Sequence, residues 1–308
     1  VLEREFGQLW GTRPISDVTP LEISTAIQAI KNRGAPYQAH NAFGWVRGLY
    51  NWAIGTGLYG IDTSPVTRLK PRDLIGRKLP RQRTLTDEEL RDLWAGVREV
   101  GYPYAWIVWL LILTGQRKSE IGRASWSEIQ PANWRHVDAE EVDVSLVIPP
   151  DRMKKAAAHV VPLVPESVTL LRDIQKGAAG DFIFSATDGR TAANGYSKAK
   201  EKIDHEVAKI RAARRAGPGA EPEKGDELPG WVLHDIRRTV RTHLSALPVE
   251  DLVRELVIAH AKPGLHKVYD QWSYAAEKRR ALTLWTARLQ GIVEPPTGDN
   301  VVALRDSG

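Results

Sequence analysis

At 308 residues the chain exceeds one typical domain, and about 150 residues per domain suggests two. Apolar residues (42%) and charged residues (26%) stand in the ratio of a globular chain with a proper core, and the lack of any cysteine excludes disulfide scaffolds, thiolate metal sites and cysteine nucleophiles. The net charge is only +5, yet residues 68–83 hold seven cations (Arg68, Lys70, Arg72, Arg77, Lys78, Arg81, Arg83) against Asp73 alone, so the remainder sums to −1. A short basic stretch between two near-neutral blocks suits a tether along a polyanion; a solvated linker is the other reading of charge alone.

In chain order, Thr19-Pro20-Leu21-Glu22 combines an N-cap residue, Pro at the first helical position and an acid in the first turn. Ile23, Ala26, Ile27 and Ile30 follow at helical spacing, and Asn32 with Gly34 supplies the stop. A second helix fits Tyr37 to Gly55, with Ala39, Ala42, Phe43, Val46, Leu49, Tyr50 and Ala53 on one stripe. Residues 1–67 therefore read as a small helical block and 68–83 as a basic linker. Thr86-Asp87-Glu88-Glu89 opens the next helix. The longest apolar run, Tyr104 to Leu113, is ten residues, too short to span a bilayer and suited to a buried helix. Val142 to Ile148 and His159 to Leu163 read as two short strands around a basic hairpin tip, Asp151-Arg152-Met153-Lys154-Lys155. Residues 209–230 read as a long polar loop, Tyr274 to Leu289 as the last helix, and 291–308 as a tail whose Val301-Val302-Ala303-Leu304 is apolar and β-prone. The fold class expected is mainly α with a small β-sheet, α+β. The N-terminus shows neither a signal-like apolar stretch nor an initiator Met, so a cytoplasmic chain cut from something longer is expected.

Four segments could carry chemistry. Thr114-Gly115 breaks the chain so that a new helix starts near Arg117, with Glu120 placed to brace the turn. His234 and Arg237, three apart, share a helix face, and a guanidinium beside a donor imidazole makes a sensible anion clamp. Lys154 at the hairpin tip can reach into a groove and donate a proton. His260 is followed nine residues later by Tyr269, and a tyrosine can act as a covalent nucleophile when cations hold its target. Singly, each is also compatible with ordinary surface residues. No acidic cluster suggests a metal and no Gly-rich loop suggests a nucleotide, so no cofactor is expected.

Taken together and in this order, Thr-Gly-x-Arg-x-x-Glu at 114–120, Arg-Met-Lys at 152–154, His-Val-Val-Pro-Leu at 159–163, His-x-x-Arg at 234–237 and His260 with Tyr269 resemble the tyrosine recombinases of the phage and genomic-island integrase type. The likeness covers nearly the whole chain, since 1–67 also resembles that family's helical core-binding domain. It implies an N-terminally incomplete core-binding domain at 1–67, a DNA-contacting linker at 68–83, a catalytic domain at 84–290 and a C-terminal tail at 291–308 that docks on a neighbouring subunit.

The resemblance further implies that Arg117 and Arg237 clamp a scissile phosphate and that Lys154, with Lys155 as fallback, protonates the leaving 5′-oxygen. His234 and His260 would donate to the phosphate or handle protons, Glu120 would give structural support, and Tyr269 would be the nucleophile. The implied partners are double-stranded DNA attachment sites, three further copies of the chain in a tetramer on DNA, and accessory DNA-bending or directionality proteins; no membrane is involved. The alternatives are a type IB topoisomerase, which shares this chemistry but works as a monomer, and a catalytically inactive DNA-binding regulator of the same fold. One departure concerns His260: the family shows Leu-Gly-His there, and this chain has Ile258-Ala259-His260, which bears on local backbone geometry. Tyr274 is a rival to Tyr269 whose distance from His260 does not match.

Overall fold

The computed structural model describes residues 2–153, 157–260 and 274–295. The chain divides into two compact units, Val1–Arg81 and Gln82–Gly308. Among the described residues no helix is long and apolar enough to cross a membrane.

The first unit contains α1 (Leu2–Trp10), α2 (Pro20–Asn32), α3 (Pro36–Thr56) and the single turn α4 (Pro71–Leu74). The expected capping of α2 is present as a full capping box: Glu22 N–H donates to Thr19 Oγ1 (3.3 Å) and Thr19 N–H to Glu22 Oε2 (2.9 Å). Ile23, Ile27 and Ile30 of α2 meet Phe43, Val46 and Tyr50 of α3 in one core, which α1 closes with Phe6. Each such side chain, fully buried, contributes roughly 1.5–3 kcal/mol. α3 stops at Gly57, whose φ of 66° needs a residue free of Cβ crowding. The stretch from 68 onward is not wholly a linker. Ile75 is buried in the first unit's core, with Leu69 and Leu74 packed against it, because apolar residues alternate with the cations.

The second unit is α5 (Asp87–Gly96), α6 (Tyr104–Thr114), α7 (Lys118–Gly122), β1 (Ile129–Gln130), β2 (Ser145–Ile148), β3 (His159–Pro162), α8 (Pro165–Arg172), α9 (Tyr196–Ala216), α10 (Leu233–Ser245), α11 (Asp251–Val257) and α12 (Ala275–Val293). The three strands form an antiparallel sheet in sequence order, with Ile148 opposite His159 and Ile129 opposite Leu146. α6 is the centre of the core, buried at every position except Tyr104 and Trp106. α10 and α12 pack against it, and α12 also packs on α5, α11 and β3. Arg279 of α12 ties that helix to the sheet by donating to Leu163 O (3.0 Å) and Val144 O (2.8 Å).

Two readings of the sequence need correction. The segment 209–216 is the last two turns of α9, not loop. Ile203, Val207, Ala208 and Ala212 form its buried stripe, and its basic residues are paired: Arg211 and Arg214 reach the buried Asp92, and Arg215 reaches Asp226. The sheet also has a third strand, β1, whose two residues carry too little pattern to be read from sequence.

Candidate active site

α6 ends because Gly115 turns to φ 66°, and a Cβ there would lie 3.0 Å from Val240, so the turn strongly favours glycine. The chain re-enters helix at α7 with Arg117 as its N-cap residue. Glu120 reaches back to the Arg117 N–H (2.7 Å) and pairs with the Arg117 guanidinium (2.5 Å). The brace expected of Glu120 is therefore made by one carboxylate with two bonds to the same residue.

Arg237 lies on the buried face of α10, only 3% exposed. Its Nη1 donates to Gly115 O (3.1 Å), its Nη2 donates to Ile258 O, and Glu120 Oε2 is 3.9 Å away. Burial, and then the neighbouring Arg117, pull its pKa down to about 10, with Glu120 and Glu255 opposing; it stays charged at neutral pH. Two guanidiniums thus share one carboxylate, and the surplus positive charge is what a phosphate would neutralise.

The carbonyl that holds Arg237 is free because of how α11 ends. Ala259 N–H donates to Leu256 O (3.1 Å) and His260 N–H to Glu255 O (2.9 Å), the paired bonds of a Schellman motif. Ala259 sits in the left-handed region at φ 52°. The motif leaves Val257 O and Ile258 O without partners inside the helix. Arg237 takes the second, and Gln116 Nε2 takes the first at 2.8 Å while also donating to Thr114 O at 2.8 Å. The departure from the family's Leu-Gly-His thus falls on the one residue whose backbone favours glycine.

The same turn carries His260. Its exposed ring donates from Nδ1 to Glu255 Oε2 (2.5 Å), and Arg241 Nε donates to the other oxygen (2.7 Å). Burial pulls the Glu255 carboxyl upward, but Arg241 and His260 outweigh it and hold the pKa below the usual value. His234 lies in the first turn of α10, one turn before Arg237. Partial burial lowers its imidazole pKa, with Arg238, Arg237 and Arg117 adding to the effect, so the ring is neutral at pH 7.

The hairpin base is anchored to the same region. Arg152 donates to Glu120 O (2.6 Å) and pairs with Glu128. On β3, His159 is buried and its Nε2 lies 3.1 Å from Gln116 Oε1. Burial, then Lys278, Arg237 and Arg117, depress its pKa to about 3, opposed by a hydrogen bond to Val257. Lys278 of α12 is itself buried and donates to Val160 O (2.6 Å), and burial lowers its pKa to about 8 against Glu277.

Arg117, Glu120 and Arg237 are therefore brought into one ion-paired cluster, and His260 stands two residues from a carbonyl that holds Arg237. Lys154, Lys155, Tyr269 and the tail strand Val301–Leu304 lie outside the described residues. Of the linker cations, Arg68, Lys70, Arg72, Arg77, Lys78 and Arg81 are exposed. Arg83 is not: it turns inward to Glu89 (2.7 Å), whose carboxylate also caps α5, so it is an internal ion pair of the second unit. Sequence reasoning missed Gln116, Glu255 and Lys278. Gln116 had a signal, standing inside the Thr-Gly-x-Arg motif; the other two depend on packing between distant helices.

Residues 83–273 match the phage integrase family and residues 1–71 the phage integrase central domain, and the chain belongs to this family. A curated relative is the prophage integrase IntZ of Escherichia coli (strain K12), 24% identical over 297 residues. That alignment takes in 95% of this chain and 65% of the relative, so the chain spans about two thirds of that protein's length. Solved structures of similar fold include a lambda integrase dimer bound to a COC′ core site (TM-score 0.54, 17% identity, 84% of this chain and 85% of that one). A lambda integrase tetramer bound to a Holliday junction (TM-score 0.55, 16%, 87% and 70%) and the Tn1549 transposon integrase with circular intermediate DNA (TM-score 0.54, 17%, 90% and 90%) are also similar.

Proposed function

We propose that this chain is a site-specific DNA recombinase, an integrase that cuts and rejoins DNA through a 3′-phosphotyrosine to move a mobile element in a bacterial cytoplasm. The observation that carries this reading is the pairing of Arg117 and Arg237 on the single carboxylate of Glu120, with Arg237 buried and held by two backbone carbonyls. A pair of guanidiniums held by the fold's own carboxylate and carbonyls suits the charge that gathers on a phosphodiester's non-bridging oxygens in the transition state.

In this reaction the Tyr269 oxygen attacks phosphorus, and its proton passes to an imidazole, His234 or His260. The bond from phosphorus to the 5′-oxygen breaks, and the Lys154 ammonium supplies the proton that the departing oxygen needs. The phosphotyrosine conserves the bond energy, so a 5′-hydroxyl from another strand reverses the step and completes an exchange. The partners are duplex attachment sites and further copies of the chain, in line with the DNA-bound dimer and tetramer of lambda integrase.

The test is a nicked suicide duplex taken from the ends of the element that encodes the chain. A denaturation-resistant protein–DNA adduct, lost in Tyr269→Phe, is expected. Binding without an adduct would make the chain a DNA-binding regulator. Relaxation of supercoils without exchange between two labelled duplexes would make it a topoisomerase.

A further inference from the structure

Between the Arg117 turn, the hairpin strand and the end of α11 lies a neutral hydrogen-bond chain that the proposed chemistry does not use. His159 Nε2 meets Gln116 Oε1 at 3.1 Å, and the Gln116 amide nitrogen donates to Thr114 O and Val257 O, both at 2.8 Å. Gln116 is 1% exposed and His159 8%, so none of these groups can turn to water instead. Every choice in the chain is dictated. Two carbonyls can only accept, which sets the amide with its nitrogen toward them and its oxygen toward His159. That oxygen in turn requires the proton on Nε2. A charged imidazole is disfavoured here by the desolvated setting and by three nearby cations, Lys278, Arg237 and Arg117.

The chain joins the backbone on either side of the arginine cage. Thr114 and Val257 each precede a residue whose carbonyl grips Arg237, namely Gly115 and Ile258. Its far end, His159, opens β3, which pairs with β2 at Ile148. We propose that Gln116 and His159 are positioning residues, which clamp the two strands of backbone that hold Arg237 and lock them to β3. Neither touches DNA. They act by keeping the carbonyls of Gly115 and Ile258 one guanidinium apart, and by coupling β3 to the phosphate clamp.

This inference rests on the recombinase reading, so two measurements keep the failures apart. On the suicide duplex, His159→Leu and Gln116→Leu should each slow single-turnover adduct formation by about 10- to 100-fold, the penalty typical of misplacing a reacting group by about an ångström. DNA affinity should stay within about threefold. His159→Gln, which still presents an N–H to Gln116, should recover most of the rate. A parental rate in His159→Leu, or a His159→Gln no faster than His159→Leu at equal melting temperature, would overturn the proposal. The second measurement needs no activity: nitrogen-15 spectra of the full chain should show His159 as a neutral Nε2–H tautomer at pH 7. An Nδ1–H tautomer in the parent would sink the idea whether or not the chain cuts DNA, while absence of any adduct with the expected tautomer would count against the recombinase reading alone.

Discussion

Arg237 donates to the carbonyl oxygen of Ile258, the residue at which α11 stops and two before His260. The end of one helix therefore serves as the seat of a guanidinium from another. The negative end of the α11 dipole and the Ile258 carbonyl face that cation, which makes the seat favourable before any DNA arrives. The same turn then projects His260.

Replacing Arg237 by lysine keeps the charge and discards the fork. An ammonium cannot reach Gly115 O and Ile258 O and still face Glu120 as the guanidinium does. Cleavage should fall about 100- to 1,000-fold, as for loss of one preorganised donor. The chain should also melt at a lower temperature, because a buried carbonyl loses its partner. Adduct kinetics and a thermal melt check both, and a variant that cuts normally would remove Arg237 from the clamp.

Ala259 pays for its left-handed backbone, and glycine would not. Relief of the αL strain, of order 1–2 kcal/mol, is partly offset by the greater freedom of glycine in the unfolded chain. Ala259→Gly should therefore raise stability by roughly 0.5–1 kcal/mol. Denaturant unfolding decides it: an unchanged or lower midpoint would show that the turn is not strained.

His159 makes stability depend on pH with a definite sign. Its folded pKa, about 3, lies below the ordinary imidazole value of 6.5, so between these values the unfolded chain binds a proton that the folded chain refuses. The contribution is complete above about pH 6.5 and is lost as the pH falls toward 3, at up to about 1.4 kcal/mol per pH unit. His159→Gln should flatten the unfolding free energy against pH in that window. Equal slopes for parent and variant would show that His159 is charged in the fold.

The basic stretch should separate by where each cation points. Arg72→Ala with Arg77→Ala should weaken binding to all duplexes alike and reduce the salt slope by about 0.9 per lost phosphate contact. Arg83→Ala should leave that slope alone and lower the melting temperature, since Arg83 serves Glu89. A salt slope that moved with Arg83 and not with Arg72 and Arg77 would invert this division.

Much of the helical scaffold was legible because its signals are local. Thr19 with Glu22 and Thr86 with Glu89, each pair three residues apart, mark where their helices start, and the stripe from Ile23 to Ile30 buries as its period requires. The order of Arg117, His234, Arg237, His260 and Tyr269 likewise carried the family resemblance without any coordinates. Tertiary structure alone decided which cations are spent inside the protein and which face outward. Arg83, Arg211, Arg214 and Arg215 have the same chemistry as Arg72 and Arg77, but a carboxylate that folding brings within reach neutralises each of the first four, Asp92 from about 120 positions away for Arg211 and Arg214. It also decided how the clamp is built, since Arg237 finds Gly115 O from 122 positions away and Gln116 finds Val257 O from 141. A carbonyl is anonymous in sequence, being present on every residue. Only the way a helix ends, and what packs against that end, makes one of them the seat of an arginine.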